Sequence, residues 1–429
     1  MRTCFRFALL IILAAVLSTP TAPATAANAP GASAKTAPSA PVSPEATPGP
    51  CSAPSTLPSG ALATYCVPSD GWNGDLVIWA HGYVPPGAPL GFPNIELAAL
   101  AQSQGFAFAT TSYRRNGLAI LEGVQDIREL SDAFTSATGK SRPARVYLIG
   151  ASEGGAVVTL LLERYPEEFA GGLATCGPIG DFRRQINYVA DFRVLFDYFF
   201  PGVLPGSPVE IPAELIANWD STYAPAVRAA LAANPSAARQ LISTAKAAID
   251  PNDPASLEKT TLDVLWYNVF ATNDVRAQLG GNPYDNRSRR YWGSASDAQL
   301  NANVQRFSAD PAALTALQNY QSAGSTSKPL VTMHTTADAI VPFWHAVLYD
   351  WRYRATGQGS HTPILINRYG HCTFTNEETL AAFGVLVHKV LVVPPSPIDL
   401  NAARAAFNAA RPSALAQLAP PNYLPALRR

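Results

Sequence analysis

The sequence predicts an α/β fold: a mostly parallel sheet covered by helices on both faces, with a large, mainly helical cap inserted between two of its strands. Three observations carry this. Short, unbroken apolar runs alternate with segments of helical periodicity, the pattern of strands buried on both faces and joined by crossover helices. One such run, Val146–Ile149, passes through Gly150-Ala151-Ser152-Glu153-Gly154 directly into a helical pattern. After Gly180 the alternation stops, and it resumes only at Leu330.

In chain order, Arg2 and Arg6, the apolar run Phe7–Leu17 and the small residues Ala24-Thr25-Ala26 have the layout of a secretory signal peptide spanning 1–26. The apolar run is too short to span a bilayer, which takes about twenty residues. Residues 27–56 are rich in Ala, Pro, Ser and Thr without apolar periodicity and read as a linker. The core is expected over 57–180 and 328–391. Its strands are Leu76–Ala80, Phe106–Tyr113, Val146–Ile149, Phe169–Thr175, Leu330–Met333 and Pro363–Ile366. Its helices are Asn94–Gln104, a segment in which Ile120, Val124, Ile127, Leu130 and Phe134 recur at helical spacing, Ala156–Tyr165, Phe343–Arg354 and Glu377–Val390. The insertion, 181–327, reads as helices and turns with aromatic clusters at Tyr198-Phe199-Phe200, Trp266-Tyr267 and Tyr291-Trp292. A proline-bearing tail, 392–429, follows, with one short helix expected at Leu400–Ala409. No internal repeat is present.

Composition narrows the class. Of 429 residues, 48% are hydrophobic, enough for a large core, and 14% are charged. Lys plus Arg equals Asp plus Glu at 31 each, so the formal net charge is zero. The basic pairs Arg114-Arg115, Arg183-Arg184 and Arg289-Arg290 are short and scattered. Nothing here marks a nucleic-acid or anionic-membrane binder. Neither G-x-G-x-x-G nor a P-loop follows a strand, and no CxxC or HExxH marks a zinc site, so no cofactor and no metal are expected. Of five cysteines, Cys4 falls in the signal segment, leaving Cys51, Cys66, Cys176 and Cys372, an even number suited to disulfides in an exported protein. Three pairings are open; closeness in sequence favours Cys51 with Cys66, which leaves Cys176 with Cys372. Asn286-Arg287-Ser288 has the form of a glycosylation acceptor.

The chemistry sits in four places. A serine hydroxyl is a poor nucleophile at neutral pH; it needs a histidine to take its proton, a carboxylate to orient that histidine, and donors for the oxyanion. Gly150-Ala151-Ser152-Glu153-Gly154 fits G-x-S-x-G between a strand and a helix, the setting in which that pentapeptide has meaning. With that motif in that setting, the chain resembles the α/β-hydrolase superfamily over Ala61 to Leu391, with the insertion where such enzymes carry a cap. The resemblance implies a serine hydrolase with Ser152 as nucleophile. The segment Met333–Pro342 resembles the acid loop and makes Asp338 the expected carboxylate, with Asp181 as the rival. Tyr369-Gly370-His371-Cys372 matches the histidine loop and makes His371 the expected base, with His334, His345, His361 and His388 as alternatives. His81-Gly82 matches the HG element, so the backbone N–H groups of Tyr83 and Glu153 are the implied oxyanion donors, and the His81 ring only shapes its loop. Some tannase and feruloyl-esterase relatives tie a cysteine just after the histidine to one just before the serine. Here Ala151 precedes Ser152, so the likeness is partial, but Cys176 and Cys372 are expected at the same edge of the sheet.

The bond cleaved is left open. A carboxylic ester is the first expectation, from a small-molecule or polymeric substrate. A proline-type aminopeptidase or other serine peptidase is the alternative, weakened because His81-Gly82 continues as Tyr83-Val84-Pro85-Pro86 and not as Gly-Pro-Gly. A catalytically inactive binding protein of the same fold is the third reading. The mature chain is expected to be exported, secreted or periplasmic, without stable membrane insertion.

Overall fold

The computed structural model describes residues 46–356 and 359–391; the expected signal peptide, residues 27–45 of the expected linker and the tail from residue 392 on lie outside the described residues. The elements run β1 (Ser55–Thr56), β2 (Leu62–Cys66), β3 (Leu76–Ala80), α1 (Leu97–Ser103), β4 (Ala107–Thr111), α2 (Ile120–Thr138), β5 (Val146–Ala151), α3 (Glu153–Arg164) and β6 (Gly171–Thr175). Then come α4 (Phe182–Phe199), α5 (Ala213–Ala217), α6 (Ala224–Ala233), α7 (Pro235–Ala245), α8 (Ser256–Leu279), α9 (Asp297–Asn303) and α10 (Pro311–Leu317). The chain returns through β7 (Pro329–Ala337), α11 (Trp344–Thr356), β8 (Ser360–Tyr369) and α12 (Asn376–Leu391).

The strands form one eight-stranded sheet in the order β1-β2-β4-β3-β5-β6-β7-β8. From β4 to β8 every pairing is parallel; β2 joins β4, and β1 joins β2, antiparallel. Strand β3 shows why the sheet is covered on both sides. All five of its residues are buried; Leu76, Ile78 and Ala80 face the layer of α2 and α3, while Val77 and Trp79 face that of α1 and α12. This is the period of two expected of a strand between two layers. On the α12 side, Phe106, Tyr147 and Phe383 meet edge to face at 5.2–5.9 Å.

Between β6 and β7 the cap has a core of its own, in which Phe192, Phe196, Leu215, Trp219, Leu241 and Leu265 are buried. It is therefore a second packed unit and not a loose loop. Asn286 is spent inside it: the side chain is 1% exposed and its amide donates to Gln305 O and Tyr291 Oη, so the Asn286-Arg287-Ser288 sequence offers no accessible acceptor.

Three differences from the sequence reading have plain causes. The expected linker meets the fold at Thr47, which bridges to Asp70, and Cys51 is bonded to Cys66. Its Pro- and Ser-rich composition conceals a two-residue strand held by a disulfide. Strand β2 also has no counterpart in that reading, because Leu62-Ala-Thr-Tyr-Cys66 mixes polar and apolar side chains without alternation. Helix α1 starts three residues later than expected, since Asn94 takes a left-handed φ of 62°. Among the described residues no helix is long and apolar enough to cross a membrane.

The chain leaving the cap is tied to α3 by one carboxylate. Glu163 accepts from Ala323 N (2.7 Å), Gly324 N (2.8 Å) and Tyr349 Oη (3.1 Å). Replacing Glu163 with Ala strands these donors in a half-buried setting, and urea denaturation is expected to show a loss of about 1–3 kcal/mol; a loss within error would mean that water replaces the carboxylate without cost.

Candidate active site

The elbow at Ser152 follows from its neighbours. Ser152 takes φ 55° and ψ −121°, a conformation costly for a residue with a side chain, between the end of β5 and the start of α3. The turn is tight enough that a Cβ on Gly150 would lie 2.3 Å from Gly154 O, and one on Gly154 would lie 2.0 Å from Ala80 O on β3. Both glycines are thus steric requirements of the fold. Ser152 N donates to Thr175 O at 2.9 Å, which anchors the turn to β6.

The structure brings Ser152, Asp338 and His371 together. Asp338, in the loop after β7, is 1% exposed; its Oδ1 accepts from the N–H of Ile340 and of Val341, each at 2.9 Å. Its Oδ2 lies 2.7 Å from His371 Nδ1, and His371 Nε2 lies 2.9 Å from Ser152 Oγ. With Nδ1 turned to the Asp338 carboxyl, Nε2 is left facing the serine hydroxyl. The histidine loop is held by Gly370 N donating to Ala337 O and by Thr335 Oγ1 donating to Gly370 O. It is also held by a Cys176–Cys372 disulfide, whose ends both take left-handed φ values of 45° and 53°. The ligand atoms of Cys176, Cys372 and His371 lie within 4.8 Å of one another, but the two sulfurs are bonded to each other and are not thiolates.

The alternatives have other partners. Asp181 caps α4, accepting Arg184 N at 3.1 Å, and pairs with Arg184 and Arg352. His334 stands behind Asp338, with Nε2 donating to Val341 O at 2.8 Å; burial lowers its pKa, so the ring is a neutral brace. His345 is fully buried, accepts from Gly180 N and Asp181 N at Nδ1, and donates from Nε2 to Gln185 Oε1. His361 pairs with Thr332 Oγ1 and Asp350, and His388 lies on α12. The His81 ring stacks on Tyr113 at 4.0 Å.

Sequence reasoning missed how far the cap takes part. Helix α4 grips the loop that carries Asp338: Gln185 Nε2 donates to Ile340 O at 2.8 Å and Tyr188 Oη to Ala339 O at 2.6 Å. Helix α8 docks on the opposite wall, where Asp274 pairs with Arg115 at 2.5 Å and accepts Leu118 N at 2.7 Å, and Tyr83 Oη donates to Phe270 O at 3.0 Å. Between these two helices a cavity of about 860 Å³, its mouth included, runs from Ser152 into the cap. Its wall is largely apolar, with Phe182, Ile186 and Val189 from α4 facing Tyr267, Ala271 and Val275 from α8.

Tyr83 and Glu153 line the cavity together with Ser152. Gly82 lies close enough that a Cβ there would sit 3.3 Å from Ser152 Cβ. The Glu153 side chain turns away from solvent and its Oε1 accepts Ala119 N at 2.8 Å. Burial, helped by the nearby carboxylates Asp274 and Glu122 and opposed by the Ala119 hydrogen bond and by Arg115, pushes its pKa up to about 8.

Sheet order, elbow and the serine–histidine–carboxylate array define the class: the chain has the α/β-hydrolase fold. Within it, the family model described as serine aminopeptidase, S33, matches residues 119–279, from the start of α2 to the end of α8, and stops short of Asp338 and His371. No curated protein matches the chain. Solved structures similar to it include the Pyrococcus horikoshii acylaminoacyl peptidase, at 12% identity over 76% of this chain and 38% of that one, with a TM-score of 0.39. They also include an esterase from Aspergillus oryzae (13% identity, 78% and 77% covered, TM-score 0.44) and Candida antarctica lipase A in its closed state (13%, 79% and 76%, 0.42). The chain spans about two fifths of the length of the peptidase.

Glu153 gives this site a pH signature. Its folded pKa of about 8 lies above its ordinary value of 4.5, so folding takes up a proton. Its contribution to stability is full below the ordinary value and is lost as pH rises through about 8. Glu153→Gln keeps an acceptor for Ala119 and has no proton to lose. The melting temperature of the wild type is therefore expected to fall more steeply from about pH 6 to about pH 9 than that of the variant. Parallel slopes would show that Glu153 ionises without penalty.

Proposed function

We propose that the protein is an exported carboxylic-ester hydrolase, a carboxylesterase, that works through Ser152, His371 and Asp338 by way of an acyl-serine intermediate. The observation that carries the reading is the unbroken relay from Asp338 Oδ2 to His371 Nδ1 and from Nε2 to Ser152 Oγ, at the inner end of an apolar cavity. In this reading His371 takes the serine proton as Oγ attacks the ester carbonyl. The N–H groups of Tyr83 and Glu153 receive the oxyanion. His371 then protonates the departing alkoxide, and a water activated in the same way releases the acid. The Ile340 and Val341 N–H groups hold the Asp338 carboxyl in its orientation toward His371. Two disulfides among the described residues support export into an oxidising compartment.

An aminopeptidase is the second reading, favoured by the family model over 119–279. It needs an anion to hold the substrate's ammonium group. Among the described residues Glu153 is the cavity's one carboxylate, and a pKa of about 8 leaves it mostly neutral at pH 7. That supports the ester over the free N-terminus.

The test is hydrolysis of p-nitrophenyl esters graded by acyl length beside proline and alanine p-nitroanilides, together with labelling by a fluorophosphonate. Ester turnover is expected, abolished in Ser152→Ala and reduced by about 10³–10⁴ in kcat in Asp338→Asn, which presents the wrong tautomer. Anilide turnover without ester turnover would replace the esterase reading with the peptidase one. No turnover and no labelling would leave a binding protein.

A further inference from the structure

The cavity that begins at Ser152 also contains a cation that the proposed ester chemistry does not use. Arg276 lies on its wall near the end of α8. Tyr267, nine residues earlier on the same helix, stands at the reacting end: its ring meets that of Tyr83 at 5.7 Å, and it feels the charges of Asp338 and Glu153. At the helical rise of 1.5 Å per residue, Arg276 is about 13 Å further along the cavity.

What sets Arg276 apart is that nothing accepts from it. The other arginines that are withdrawn from the surface all have acceptors: Arg114 and Arg115 in Asp126 and Asp274, Arg193 in Asp197, Arg289 in Asp191, and Arg306 and Arg352 in backbone carbonyls. Among the described residues Arg276 is the half-buried exception. Its Nε is sealed from solvent without a partner, and it enters no ion pair or side-chain hydrogen bond. Glu210 lies with it on an outer groove but does not pair with it. A donor sealed from solvent in a largely apolar wall is costly to leave unanswered, and a planar carboxylate is the group a guanidinium answers best.

We infer that Arg276 binds a carboxylate at the end of the substrate remote from the scissile bond, so that the preferred substrates are half-esters of dicarboxylic acids. This rests on the ester-hydrolase reading for the bond cleaved, and on the cavity alone for the charge recognised. A neutral chain end of the same length leaves the sealed Nε unpaired, so discrimination is stronger than one between two apolar tails.

Monomethyl and dimethyl esters of the series from glutarate to sebacate separate the two chain ends at equal length. In the wild type, kcat/KM is expected to favour the monomethyl ester by about tenfold or more at the best length. Arg276→Gln should bring the ratio close to one, Arg276→Lys should keep part of it, and Arg239→Gln, on the exposed face of α7, should leave it at the wild-type value. In parallel, calorimetry on Ser152→Ala reads binding without turnover. The monomethyl ester is expected to bind, and adding Arg276→Gln is expected to weaken it by a similar factor. Ser152-dependent cleavage of dimethyl esters with no preference for the half-ester overturns the inference and leaves the esterase standing. Arg276-dependent binding without cleavage of any ester supports the anion site and removes the esterase. Absence of both preference and Arg276-dependent binding overturns the inference whatever the enzyme cleaves.

Discussion

The site depends on a contact between two pieces of backbone where no side chain fits. Gly154, in the first turn of α3, lies against the carbonyl of Ala80 at the end of β3, and Gly150 lies against the carbonyl of Gly154. These approaches let the chain reverse from strand to helix within one residue, and that residue is Ser152. The unfavourable backbone angles of the serine are sustained because β3, β5 and β6 are paired in register on either side of the turn. Everything else converges on the point thus fixed. The loop after β3 brings Tyr83, the loop after β7 brings Asp338, and the loop after β8 brings His371, all to the same edge of the sheet.

The second constraint is that the carboxylate is held by both the sheet and the cap. Asp338 takes its orientation from the N–H groups of the loop that follows it. The carbonyls of that loop are held in turn by Gln185 and Tyr188 of α4. His345 joins the same arrangement from the core, accepting from the peptide N–H groups where the cap begins and donating to Gln185. A neutral imidazole suits that task because it both accepts and donates, and burial keeps it neutral.

Much of the sheet and the three residues of the relay were legible in the sequence, for a local reason. The elbow is a short run of small residues flanked by a strand and a helix. Asp338 and His371 each follow an apolar strand, so strand order alone puts them on one edge. What was not legible depends on contacts distant in sequence. Strands β1 and β2 are short, and are made into strands by the pairing of β2 with β4, of β1 with β2, and by the Cys51–Cys66 bond. His334 is an ordinary strand histidine until the fold sets it behind Asp338. Nothing in the sequence separates Arg276 on α8 from Arg115 in the loop before α2, although one ends with an unpartnered Nε and the other is paired with Asp274. Glu153 reads as a polar residue in a motif, and only the approach of Ala119 shows that its carboxyl is buried.

The hold of α4 on the loop of Asp338 bears on how such a chain can change. Caps look like interchangeable modules, inserted at one point between two strands of a shared scaffold. In this chain the first cap helix is part of the support for the carboxylate, so a foreign cap grafted between β6 and β7 would arrive without Gln185 and Tyr188 and leave two carbonyls beside Asp338 unheld. The unit that can be exchanged without disturbing the relay begins after α4. Divergence of substrate preference is correspondingly freest in the later helices, where α8 forms the opposite wall of the cavity.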